Sequence, residues 1–311
     1  MSGHESAGNV QAAAPPMARI GLGIGCMVAG AFCLSTQDAV AKWLSQDYAL
    51  AQIIVIRALV GLPLILALVR VTQGWGALRL CRPWLTLLRG LLMAGSAFFF
   101  FAGLRHLPLA DAWAMVFTAP LMMTALAPVM LKETVGWRRW LGVLIGFAGV
   151  LVVVRPGLGA FQPGSLYVLA TAVCYALNFV LARKQAAEET AQVSVFYITL
   201  VQLLVALPFA IGGWQAPASG LDGGLFVLAG LLGVAAMLFL TQAFRVAPTA
   251  VVAPFDYSAM IWAVLWGWVI WRDWPDAATW AGAALIVGAG LYVLHRETVN
   301  ARRARRAAAE T

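Results

Sequence analysis

Three charged side chains interrupt long apolar stretches of this chain, and their types restrict the chemistry on offer. Asp38 and Arg57 fall in the first two stretches and Asp256 in the ninth. A charge in hydrocarbon costs at least about 2.5–3.5 kcal/mol on insertion scales, so such residues are expected to face a partner, water or a solute. By helix rise, Asp38 and Arg57 should both sit roughly 10 Å below the same bilayer face, and they form the leading pair. The pair fits a structural lock, an outer gate, or a site for the ammonium and carboxylate of a zwitterion. Lys42, one turn from Asp38, can snorkel outward. Asp256, within PFDYSAMIWA, fits a proton carrier or cation contact. It fits equally the cap of a broken helix or a partner for Arg245.

Aromatic and amide groups complete the candidate substrate site. Trp113 and Phe117 lie one turn apart with Pro120 on the same side, and Tyr175 and Asn178 share a helix face. Tyr197, Tyr257 and Trp262 are further candidates. An aromatic-walled cavity with few charges suits an amphipathic organic solute. A strongly anionic phosphate would need several converging Arg or Lys residues, which the midplane is expected to lack. No HExxH or GxSxG motif occurs, and His4, His106 and His295 all lie at ends or in loops. No catalytic residue, metal site or cofactor is therefore expected. With no Walker motif, energy should come from a solute or ion gradient. Cys26, Cys33, Cys81 and Cys174 lack ligand-like spacing and read as small hydrophobes.

The elements that must position these groups are membrane helices. The 311 residues are 62% hydrophobic and 11% charged, which leaves a soluble domain too little polar surface. A bilayer core needs about 20 apolar residues per helix. Ten stretches qualify, at roughly 17–44, 49–71, 83–104, 108–131, 137–154, 163–183, 192–211, 221–244, 249–271 and 277–295. The fold class is an all-α polytopic membrane protein. Residues 1–16 and 297–311 are expected to be cytoplasmic tails, the first disordered and the second basic.

The net charge of +8 does not indicate a nucleic-acid partner, because of how it is distributed. With the amino terminus cytoplasmic, sixteen Lys and Arg residues fall on inside segments and four on outside ones: Lys42, Arg105, Arg155 and Arg272. Arg89 is counted among the inside loop residues. Both termini are then cytoplasmic in a bacterial-type inner membrane, and ARRARR reads as a topology anchor on anionic lipid. Trp266, Trp268, Trp271 and Trp274 read as an interfacial belt. Asp111 is expected to cap the fourth span or to meet Arg105 or His106. Glu133 is expected to pair with inner-loop cations.

The halves of the chain resemble each other. At an offset of 140, Arg105 meets Arg245, Pro108 meets Pro248, Trp140 meets Trp280, Gly142 meets Gly282, and Lys132-Glu133 meets Arg272-Asp273. At 141, Lys42 meets Arg183. Five spans per copy is an odd number, so the second copy starts on the opposite side. The expectation is two inverted five-helix repeats, over 17–155 and 163–296, which suits alternating access and disfavours a channel. Asp38 and Arg57 have no charged counterpart in the second copy.

Residues 117–157, FTAPLMMTALAPVMLKETVGWRRWLGVLIGFAGVLVVVRPG, strongly resemble the EamA domain of the drug/metabolite transporter superfamily. Pro120, Glu133, Gly142, Gly146 and Gly149 carry the resemblance, with Arg57 in VIRALVGLPLIL. The second copy departs at Asp273, for the usual Glu, and at Met260, for Pro120. The resemblance implies a ten-helix carrier with a central cavity, most directly an exporter of amino acids or related metabolites. The segment FDYSAMIWAVLWGW is similar to carriers proposed for riboflavin and S-adenosylmethionine, which implies uptake of a larger metabolite as the alternative.

Small residues should let helices approach closely, at Gly21, Gly25 and Ala29, at Gly142 and Gly146, and at Gly282. Such an edge also permits a weak homodimer beside the monomer. Pro120 frees the carbonyl of Val116, and Pro254 that of Ala250. These are the candidate hinges for access switching.

Overall fold

The computed structural model describes residues 17–131, 136–155, 162–185, 189–247 and 249–309. Among them the secondary structure is entirely helical, and nine helices are long and apolar enough to cross a membrane. In chain order they are α1 (Met17–Leu44), α2 (Leu50–Thr72), α3 (Pro83–Leu104), α4 (Leu109–Val116) continued by α5 (Ala119–Leu131), α6 (Trp137–Val154), α7 (Gly164–Gln185), α8 (Ala191–Ile211), α9 (Gly220–Val246) and α12 (Ala277–Ala309). The expected continuous span over 249–271 is instead broken. It runs as α10 (Thr249–Val252), a 3-10 stretch over Ala253–Ser258, α11 (Ala259–Trp266) and a π turn over Gly267–Trp271. The expected tail at 1–16 and the loop holding Lys132 and Glu133 lie outside the described residues. Residues 297–309 continue α12 as helix.

Proline chemistry explains both breaks. Pro120 cannot donate to Val116, and the helix stops at Val116 and restarts at Ala119. The gap is closed locally: the Thr118 hydroxyl donates to the Met115 carbonyl at 2.7 Å, and the Phe117 N–H donates to Trp113 at 3.1 Å. Pro254 lies at the start of the 3-10 stretch. The helix starts also have local causes. Asp276 accepts the Thr279 N–H at 2.8 Å and caps α12, and Ser219 accepts the Asp222 N–H at 3.1 Å and caps α9.

The principal helix pairs are α1 on α9, α3 on α7, α2 on α8 and α6 on α12. In apolar solvent, close backbone approach drives such pairing. On α1 the approach is made at Gly23 and Gly30, where an added Cβ would meet Ala247 Cβ at 2.5 Å and Leu240 at 2.9 Å. The expected Gly21–Gly25 edge instead faces open space, because it lies on the opposite side of the helix. The glycines of α6 and α12 do pack: a Cβ on Gly142 would meet Val293 at 2.7 Å, and one on Gly149 would meet the Gly282 carbonyl at 2.8 Å.

The aromatic belt differs from expectation. Trp268 and Trp274 are exposed, but Trp266 donates its indole N–H to Thr36 at 3.0 Å and packs on Phe32. Trp271 lies beneath the Lys42 ammonium, 4.7 Å from its ring centre. Trp75, Trp84 and Trp137 are exposed at the opposite end of the bundle.

Candidate functional site

A cavity of about 660 Å³ enters the bundle between α1, α2, α3, α7, α8 and α9. It opens where α7 ends and α3 and α8 begin, with exposed Thr190 and Ala191 on its rim. Gln37, Arg57, Arg89, Asn178, Gln202 and Glu189 supply its polar wall. Arg57 is eighth in α2, counted from the other end of the bundle, and Arg89 is seventh in α3, counted from the open end. Rise then separates the two guanidiniums by roughly 10 Å in depth across a 30 Å core.

Arg57 lies 5.7 Å from the centre of the Phe101 ring, and its charge acts on Asp38, which is 6% exposed. Asp38 thus supports Arg57 from behind the cavity wall. Arg89 is the residue that loop counting missed. It is 6% exposed and fully engaged on one side. Its Nε donates to Asn178 Oδ1 at 3.1 Å, and its Nη1 donates to Gln185 Oε1 at 2.8 Å and Ser194 Oγ at 2.7 Å. The signal for it was available: position 89 falls inside the stretch 83–104 and not in the loop before it. Arg89 is thus a second cation lining the same cavity as Arg57.

The other sequence candidates divide. Asn178 lines the cavity as the partner of Arg89. Tyr175 stacks on Phe179, which lines the cavity, and stands within electrostatic reach of both Asp256 and Asp38. Trp113, Phe117, Tyr257 and Trp262 pack into the core. Phe117 meets Tyr257 edge-on at 4.9 Å, and Trp262 meets Phe32 at 5.1 Å. Tyr197 donates to the Leu78 carbonyl and tethers the 3-10 turn at Trp75–Leu78. Asp256 lies within the broken span, between Pro254 and Tyr257, and its charge acts on Tyr175 and Tyr257. Its proposed partner Arg245 has no described side chain. Pro120 and Pro254 stand at the two helix breaks.

At the opposite end polar contacts tie the helices together around a second cavity of about 580 Å³, lined by Lys42, Arg105, Trp271 and Asp273, which does not extend to Arg57. Lys42 Nζ donates to the Leu107 carbonyl at 2.8 Å and lies 3.8 Å from Asp273. The Tyr48 hydroxyl donates to Asp222 at 2.9 Å, Gln52 Nε2 donates to the Gln215 carbonyl at 2.6 Å, and Arg105 donates to the Tyr48 carbonyl at 3.0 Å. Arg155 pairs with Asp276, which holds that carboxyl down at about 2 and pushes the guanidinium up. Asp111 belongs to this cluster and not to Arg105 or His106, as expected: it meets Thr279 and lies near Asp276, Arg155 and Lys42. Pro108, whose side chain cannot accept a hydrogen bond, takes the cap position of α4 instead.

Comparison with known proteins follows the same lines. An S-adenosylmethionine uptake transporter of Rickettsia prowazekii (strain Madrid E) is 30% identical over 73% of this chain and 77% of its own length. A pseudopaline exporter of Pseudomonas aeruginosa is 30% identical over 83% of this chain and 90% of its own. A solved crystal structure, 22% identical, superposes with a TM-score of 0.61 over 92% of this chain and 98% of that one, and shares the fold. The EamA-like transporter family matches twice in tandem, over residues 21–155 and 162–294. This chain, a multi-pass membrane protein, belongs to the EamA-like transporter family.

Proposed function

We propose that this chain is a secondary carrier that moves small organic metabolites across a bacterial inner membrane by alternating access. In this reading ten spans form two inverted five-helix repeats, with both termini cytoplasmic. The observation that carries it is unequal access: a cavity reaches Arg57 from one end, while the cavity at the other stops at Lys42 and Asp273, where polar contacts tie the helices together. The open end is the one that positive-inside counting assigns to the cytoplasm. Contacts that exchange between the halves support the repeat. Gly142 packs on Val293 and Gly282 on Val153, which is the same contact after a shift of 140 in each partner. Phe117 meets its own counterpart, Tyr257.

The leading substrate is an amino acid or related metabolite, exported. Uptake of a larger metabolite is the second reading, favoured by the likeness to the S-adenosylmethionine uptake transporter. Asp38, Arg57 and Asn178 stand at or behind the wall that would meet the solute. Pro120 and Pro254 would serve as hinges, and Asp256 as a coupling group. Counterflow in proteoliposomes tests the reading, with labelled L-methionine, S-adenosylmethionine and riboflavin and no imposed ion gradient. Saturable uptake driven by the matching unlabelled solute is expected. Non-saturating flux would indicate a channel and overturn it, whereas silence with every solute would overturn the substrate assignment and leave the carrier fold standing.

A further inference from the structure

Arg89 is held in an arrangement that leaves its charge available. A guanidinium has five N–H donors. Nε and both Nη1 hydrogens go to three neutral oxygens, on Asn178, Gln185 and Ser194. None of these bonds uses Nη2. Neutral acceptors fix the orientation of the fork without cancelling its charge, on a side chain that is 6% exposed. Gln185 is itself held, donating to Thr86 Oγ1 at 2.6 Å, so the mount is braced from α3, α7 and α8. Nη2 keeps its two N–H groups, and a charged N–H donates strongly to a carboxylate oxygen.

Glu189 gives the complementary observation on the same wall. Its charge acts on Arg89. Its Oε1 accepts a long bond of 3.4 Å from Thr86, whereas Oε2 is buried with no hydrogen-bond donor among the described residues. A buried acceptor left unsatisfied is costly, and more so when it is charged. An ammonium group entering the cavity would supply the missing donor.

We propose that Arg89 and Glu189 form a binding site for the amino-acid group of a zwitterionic solute, with the carboxylate on Arg89 Nη2 and the ammonium on Glu189 Oε2. This rests on the carrier reading and moves the zwitterion site away from Asp38 and Arg57. Depth separates the two arginines by roughly 10 Å, more than one amino-acid head group spans. The head group therefore docks near the mouth, and the rest of the solute extends inward toward Arg57 and Gln37.

The test uses the full-length protein in proteoliposomes, with L-methionine, S-adenosylmethionine and riboflavin as separate labelled counterflow probes. At least one amino-acid-bearing probe is expected to move. Methionine methyl ester and 4-(methylthio)butanoate, which lack the carboxylate and the amine respectively, should compete at least tenfold more weakly than methionine. Glu189→Gln should abolish the discrimination against the deaminated analogue while leaving that against the ester. Arg89→Gln should raise the half-saturating concentration at least tenfold, with Arg89→Lys restoring only part. Because Arg89 also braces three helices, thermal unfolding accompanies it, and Glu189→Gln carries the test if Arg89→Gln misfolds. Movement of riboflavin alone, which has neither group, would overturn the proposal and leave the carrier standing. Unchanged discrimination in Glu189→Gln would overturn it as well. Silence with all three probes would overturn this proposal and leave the carrier fold standing.

Discussion

The two ends of this bundle are built from similar residues and do opposite things. At the sealed end, Lys42, Tyr48, Gln52 and Arg105 each reach an oxygen on a different element, so every polar group is spent on closing a gap. At the open end, Arg89 collects three oxygens from α7 and α8, neighbours of α3 that line the same cavity, so these bonds shape a wall and leave the cavity open. A polar side chain therefore closes a pathway only when its partner stands on the facing element. The same chemistry on one wall makes a receptor instead.

Removing the deep cation should break this comparison most. Arg57→Gln leaves Asp38 buried without its charged neighbour and takes a cation from the cavity wall. Counterflow should fall by about 10- to 100-fold, the scale of a lost charged hydrogen bond. Retained counterflow would show that the solute never passes Arg57.

Next comes the seal. In Lys42→Met the bonds to Leu107 and Asp273 are lost. With the four native cysteines replaced, a cysteine at Ser45 should react several-fold faster with a membrane-impermeant maleimide. That follows from roughly 1–2 kcal/mol of lost contacts. An unchanged rate would mean that the remaining bonds suffice to hold this end.

The hinge prediction is smaller. Pro120→Ala restores the N–H that Val116 lacks and should let α4 and α5 run on as one helix. The expected result is a turnover lowered about two- to fivefold at constant half-saturation, for a barrier raised by less than 1 kcal/mol. Turnover and gate accessibility both at wild-type values would end the hinge interpretation.

The smallest effect concerns Asp276. Its carboxyl titrates at about 2, held down first by Arg155 and then by the Thr279 N–H. A depressed folded value stabilises above the ordinary carboxylate pKa, and that stabilisation is lost as pH falls from about 4 toward 2. The side chain is 53% exposed, so the ion pair is worth only about 0–1 kcal/mol. Thermal unfolding of Asp276→Asn in detergent should lie slightly below wild type at pH 7, with the gap closing near pH 2–3. A gap that widens on acidification would contradict the assignment.

Much of the architecture was legible because lipid imposes it. Apolar runs of about 20 residues name the helices, and the matched Gly142 and Gly282 mark a close crossing. Pro120 and Pro254 stand at both breaks, but Pro63, Pro128 and Pro208 lack the same N–H inside unbroken helices, so the missing donor alone does not locate a break. The sealing pair Lys42 and Asp273 was visible only as two separate terminal charges. Gly21 and Gly25 misled, because a small-residue edge has no address until its partner helix is placed. Arg89 was hidden among loop arginines by charge counting.

By itself the amino-acid order determined a helical membrane protein, its family and the prolines at which its helices could bend. Hydrophobic length and proline geometry are local properties, so sequence suffices for them. Only the tertiary structure decided which cations face a common space. That depends on helix rotation and on contacts such as Arg89 with Gln185, 96 residues apart. In lipid, where apolar faces are nearly equivalent, those contacts set the rotation, and with it the difference between a seal and a site.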